Sequence, residues 1–80
     1  MDNLEKYKKV FVDTFGVNNE QLEKNLEYDS IPDWDSVGHM TMVAALEETF
    51  DITLEMDDII DFSSFNYGKE ILTKYNIEIK

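Results

Sequence analysis

Leu4, Tyr7, Val10, Phe11 and Phe15 stand at helical spacing, and the same pattern returns twice more along the chain. Residues so spaced share one face of a helix, because successive side chains are turned by ~100°. The second run is "SVGHMTMVAALEETF", Ser36 to about Phe50, and the third is Phe65, Gly68, Ile71, Leu72 and Tyr75. Punctuation agrees with the periods. Gly16 closes the first run, Asp35 is the candidate N-cap of the second, and Ser63 or Ser64 opens the third. "MDDIIDF" is expected to add one short helical turn. Only "YNIEIK" alternates, and it is a terminal tail with no partner strand, so no sheet is expected. The expected fold is all-α: a small four-helix bundle of three main helices plus one short helix, with a long first loop.

That loop, Val17 to Asp35, exceeds the roughly 12–15 residues beyond which structureless connections become uncommon. Leu22, Leu26, Tyr28, Ile31 and Trp34 are therefore expected to pin it to the core, with a helical turn around Glu20 to Asn25. Pro32 ends any helix before it and sets an extended approach to Asp35.

Eighty residues make one domain, 1–80. A chain of this length buries roughly 60% of its unfolded surface, so the core is modest. The absence of cysteine excludes a disulfide framework, a thiolate metal site and a thiol nucleophile, and fits a reducing compartment. The N-terminus lacks an apolar signal core, and no apolar run approaches the ~20 residues that cross a bilayer. The expectation is a cytoplasmic monomer with no membrane span. Net charge is −11, and no lysine or arginine lies between Asn25 and Gly68. Nucleic acid would be repelled, whereas basic protein surfaces would be attracted.

The second helix carries more apolar surface than one core face needs. Met42, Val43, Leu46 and Phe50 form the core stripe, with His39 at its edge. Val37, Met40 and Ala44 fall on another side, among Thr41, Glu47, Glu48 and Asp51. This strip is either packed under the short helix or presented to partners, and the acids around it favour partners. Ser36 lies beside the strip. Either Asp35 caps the helix, leaving the serine hydroxyl pointing outward, or Ser36 is itself the cap.

Two chemistries fail on spacing. A nucleophile elbow would want glycine at 34 and 38, but position 34 is Trp34, and there is no sheet to carry it. His39 sits at the core edge, a place for a packed histidine more than for a base. A calcium loop counted from Asp33 fits Asp35 and Gly38 but not Val37 or Ala44. No catalytic residue and no metal site are expected.

The stretch "DWDSVGHMTMVAALEETFDITLEMDDIIDFSSF", read with the size and the flanking helices, resembles the acyl carrier proteins of the phosphopantetheine-carrier family. The resemblance implies a protein that is not an enzyme. A phosphopantetheinyl transferase, using coenzyme A and magnesium, would place 4'-phosphopantetheine on Ser36, with Asp35 helping to position the metal in that complex. The arm would carry acyl or aminoacyl groups as thioesters. Partners would be acyl-activating ligases, acyltransferases or synthases with basic docking surfaces, meeting Val37, Met40, Ala44, Glu47 and Glu48. Gly38 would leave room for the arm or an approaching enzyme. Val37 replaces the usual leucine and Trp34 a frequent glycine. That pattern is similar to carriers outside housekeeping fatty acid synthesis, such as those of polysaccharide modification, amino acid activation or secondary metabolism. The rival expectation is an unmodified acidic adaptor of the same fold.

Overall fold

The computed structural model describes residues 2–79. Among the described residues there are five helices: α1 Asn3–Phe15, α2 Asn19–Glu23, α3 Ser36–Phe50, α4 Met56–Asp61 and α5 Phe65–Thr73. No strand is present among them, only an isolated antiparallel bridge between Glu27 and Ser64. The all-α bundle holds, with α4 as its short helix and α2 as a single turn inside the long connection. Among the described residues no helix is long and apolar enough to cross a membrane.

Local chemistry sets the boundaries. Asp2 caps α1 by accepting from the Glu5 amide at 2.8 Å, and Gly16 ends it in the left-handed region at φ 66°. Asn18 and Gln21 form a reciprocal capping box on α2. Ser64, not Ser63, caps α5, its hydroxyl accepting from the Tyr67 amide at 3.0 Å.

The core joins Tyr7, Phe11 and Phe15 of α1 to Met42, Val43 and Leu46 of α3 and to Phe65, Ile71 and Leu72 of α5, with Trp34 and Phe62 between them. Phe11 is its hub, in ring contact with Tyr7, Phe15, Trp34, Phe62 and Phe65. Each such ring, fully buried, stabilises the fold by roughly 1.5–3 kcal/mol. Tyr7 also donates to the Phe65 carbonyl at 2.6 Å, and burial pushes its phenol well above the ordinary range, so it stays a neutral donor. Phe50, expected in the stripe, is only half-buried at the end of α3.

The long connection is ordered by backbone as much as by side chains. Leu22, Leu26 and Trp34 are buried and Ile31 packs against the core, but Tyr28 is 44% exposed and pins less than expected. Instead the Tyr28 amide donates to the Ser63 carbonyl at 2.8 Å and the Phe65 amide to the Leu26 carbonyl at 2.7 Å. The segment before Ser36 therefore runs against the start of α5. The C-terminal tail has no partner strand, yet Ile77 is buried and the Asn3 side chain donates to the Glu78 carbonyl at 3.1 Å.

Candidate functional site at the start of α3

Asp35 is the cap of α3. Its Oδ1 accepts from the Gly38 amide at 2.9 Å and its carbonyl from the His39 amide at 2.8 Å. Ser36 is thereby the first helical residue. It is exposed, and its hydroxyl has no hydrogen-bond partner among the described residues. The alternative in which Ser36 caps the helix is excluded by this geometry.

Behind Ser36 the chain is tightly held. The Trp34 indole is fully buried, stacked on Phe15 with centroids 5.1 Å apart, and its Nε1–H donates to His39 Nδ1 at 2.9 Å. An indole nitrogen only donates, so Nδ1 accepts and Nε2 carries the ring proton. That Nε2–H donates to the Ile59 carbonyl of α4 at 2.7 Å. Both nitrogens of His39 are spent inside the protein, and no lone pair remains to draw a proton from Ser36. Gly38 corrects another expectation. A Cβ there would lie 1.9 Å from the Asp33 carbonyl oxygen, so its open side is filled by the preceding loop rather than left for a ligand or an enzyme.

In front of Ser36 the surface is apolar. Val37 is 73% and Met40 52% exposed, and Ala44 is exposed beyond them. The strip is presented, not buried under α4. Helix α4 extends it with Met56 and Ile60, 68% and 71% exposed. Sequence reasoning missed these two, although their spacing of four residues is a helical signal. Between α3 and α4 opens a cleft of about 340 Å³. Its apolar lining is Met40, Met56, Ile59, Ile60 and Phe62, and Ser36, Tyr28, Ser63 and His39 complete it.

The acids divide by role. Glu48, Asp57 and Asp61 are exposed around the apolar surface. Glu47 is half-buried, and its Oε2 accepts from the Leu54 amide at 2.8 Å, tying the α3–α4 loop to α3. Its carboxylate is thus partly committed to the fold. Asp58 is buried, accepting from the Lys74 ammonium and from the Tyr75 hydroxyl at 2.6 Å. The Lys74 bond first, and then the Tyr75 bond, hold its carboxyl below the usual carboxylate range. No group of three or more acidic, histidine or cysteine side chains able to hold a metal occurs among the described residues. Asp35 could contribute only one carboxylate to a metal held elsewhere.

No family model, curated protein or solved structure matches the chain.

Proposed function

We propose that this protein is a carrier whose working group is attached at Ser36: a stand-alone acyl or aminoacyl carrier bearing 4'-phosphopantetheine. The observation that carries the reading is an exposed serine hydroxyl with no internal partner, at the first position of a helix that Asp35 already caps, beside an apolar surface rimmed by acids.

The residues fit such a group. A phosphodiester on Ser36 would lie next to the Ser36 and Val37 amides, which an α-helix leaves without intrahelical acceptors. In the attachment step the Ser36 oxygen bonds to the phosphorus on the pantetheine side of coenzyme A. The phosphoanhydride bond breaks, adenosine 3',5'-bisphosphate leaves, and the serine proton passes to a base of the transferase. With both nitrogens of His39 engaged internally, His39 is not available as that base. Asp35 would offer its outward oxygen to the transferase-bound magnesium.

Once attached, the arm supplies a thiol that holds cargo as a thioester. The chain's own residues do the rest. The cleft, whose exposed apolar lining is Met40, Met56 and Ile60, offers apolar surface to the first carbons of a cargo. Val37, Met40 and Ala44, with Met56 and Ile60, offer a docking face, and Glu48 leads the acids that would attract basic ligases, acyltransferases or synthases. A cytoplasmic monomer suits that role. Which cargo and which biosynthetic route it serves follow from the partners.

The test is direct. Incubation with coenzyme A, magnesium and a promiscuous phosphopantetheinyl transferase should add one arm to the intact mass of the wild type and none to Ser36→Ala. An unmodified wild type would refute the reading, as would an arm on Ser36→Ala. A bare protein that still binds basic partners through Glu48 would be the acidic adaptor instead.

A further inference from the structure

We infer that Trp34, Gly38 and His39 form a clamp that positions the Ser36 hydroxyl for its modifying enzyme; the inference rests on the carrier reading above. Two contacts cross Ser36. The indole of Trp34, two residues before it, bonds to the ring of His39, three residues after it, at 2.9 Å, and the two rings lie nearly parallel, 16° apart. The carbonyl of Asp33 reaches over Gly38 so closely that even a methyl group could not stand between them. The anchor of this clamp is buried: Trp34 is wedged against Phe15 and Phe11, and His39 is tied onward to the Ile59 carbonyl. The loop before Ser36 and the turn after it are therefore held to each other, while the hydroxyl between them is left exposed.

An acceptor that must meet a phosphorus in line benefits from being held in place. Misplacement by about an ångström costs on the order of 10²-fold in rate. Helix propensity alone would favour alanine over glycine within α3, position 38 in its first turn included. The structure reverses that preference. The methyl of Gly38→Ala meets backbone, not a flexible side-chain tip, so the Asp33–Asp35 segment must retreat by more than an ångström to regain ordinary contact. Trp34 and Gly38 do not line the cleft beside Ser36, and with His39 they act through Ser36 as positioning residues.

The experiment is transferase kinetics on wild type, Gly38→Ala and Trp34→Phe, with coenzyme A saturating and the carrier varied. In Gly38→Ala, kcat is expected to fall roughly 10- to 100-fold while KM stays near the wild-type value, because the docking face is untouched. Trp34→Phe keeps a ring in the core but removes the indole donor, and its kcat should fall in the same direction. Mere loss of folded protein would raise the apparent KM and spare kcat. A folded Gly38→Ala, judged by far-ultraviolet circular dichroism, with wild-type kcat would overturn the clamp. If Gly38→Ala does not fold, Trp34→Phe decides by the same criterion. The wild type gives a third readout: the Trp34 indole proton should exchange with solvent far more slowly than that of free tryptophan, and equal rates would overturn the clamp. A wild type that accepts no arm overturns the carrier reading and the clamp together, whereas a wild type and a folded Gly38→Ala modified equally fast overturn the clamp alone.

Discussion

At Asp35 two roles meet in one carboxylate, and conservative substitutions separate them. Asp35→Ala removes the α3 cap and should cost about 1 kcal/mol in urea denaturation. Asp35→Asn keeps a capping oxygen and should unfold near wild type, yet lose attachment rate if the outward oxygen serves the transferase metal. Equal attachment rates for Asp35→Asn and wild type would leave Asp35 as a cap only. His39→Leu strands the Trp34 indole N–H and the Ile59 carbonyl, and unsatisfied buried groups cost about 1–3 kcal/mol each. A denaturation midpoint within error of wild type would contradict that account. The sequence narrowed the cap to Asp35 or Ser36, since either residue of an Asp-Ser pair can cap, and the bond from the Gly38 amide to Asp35 decides between them. The partners of His39 and the filling of Gly38 were not legible. They depend on the path by which the loop from Asp29 to Trp34 folds back over α3, and no periodicity encodes that path.

Among the elements, α4 is the least conventional. It buries no apolar side chain fully; its one buried residue is Asp58. Polar bonds hold it in place: His39 to the Ile59 carbonyl, Lys74 and Tyr75 to Asp58, and the Glu55 amide to the Tyr75 hydroxyl at 2.9 Å. The folded-state pKa of Asp58 is depressed, so its contribution is present above the ordinary carboxylate range and is lost as pH falls through the lower folded value. Wild type should therefore lose its stability advantage over Asp58→Asn on acidification, in urea melts run from neutral to acid pH. A constant difference across that range would sink the assignment. The three long helices were legible because α1, α3 and α5 repeat their apolar residues over two or more turns. Helix α4 was visible only as a turn, because in six residues Met56 and Ile60 give a single pair at helical spacing and no repeat to say which face they occupy. Glu47 shows the same limit: on a helical wheel it is a rim acid, and only the fold of the α3–α4 loop reveals its bond to Leu54.

Over the whole molecule, charge and apolar surface are arranged against each other. The net charge of −11, with no basic residue between Asn25 and Gly68, makes the faces of α3 and α4 repel themselves. Added salt should raise the melting temperature, and a flat dependence would show that this repulsion is unimportant. Glu48→Lys should slow association with a basic partner, more at low ionic strength than at high, without loosening the fold. Glu47→Lys should destabilise as well, since it removes the acceptor for the Leu54 amide. If Glu48→Lys leaves association rates unchanged, the docking face lies elsewhere. The central claim is that the exposed hydroxyl of Ser36 is an attachment point. Its most direct test is the intact mass and peptide map of protein purified from its own cells. The account expects a phosphopantetheine arm, bare or loaded, on the peptide containing Ser36; that peptide found unmodified throughout, in cells whose transferase is active, would contradict it.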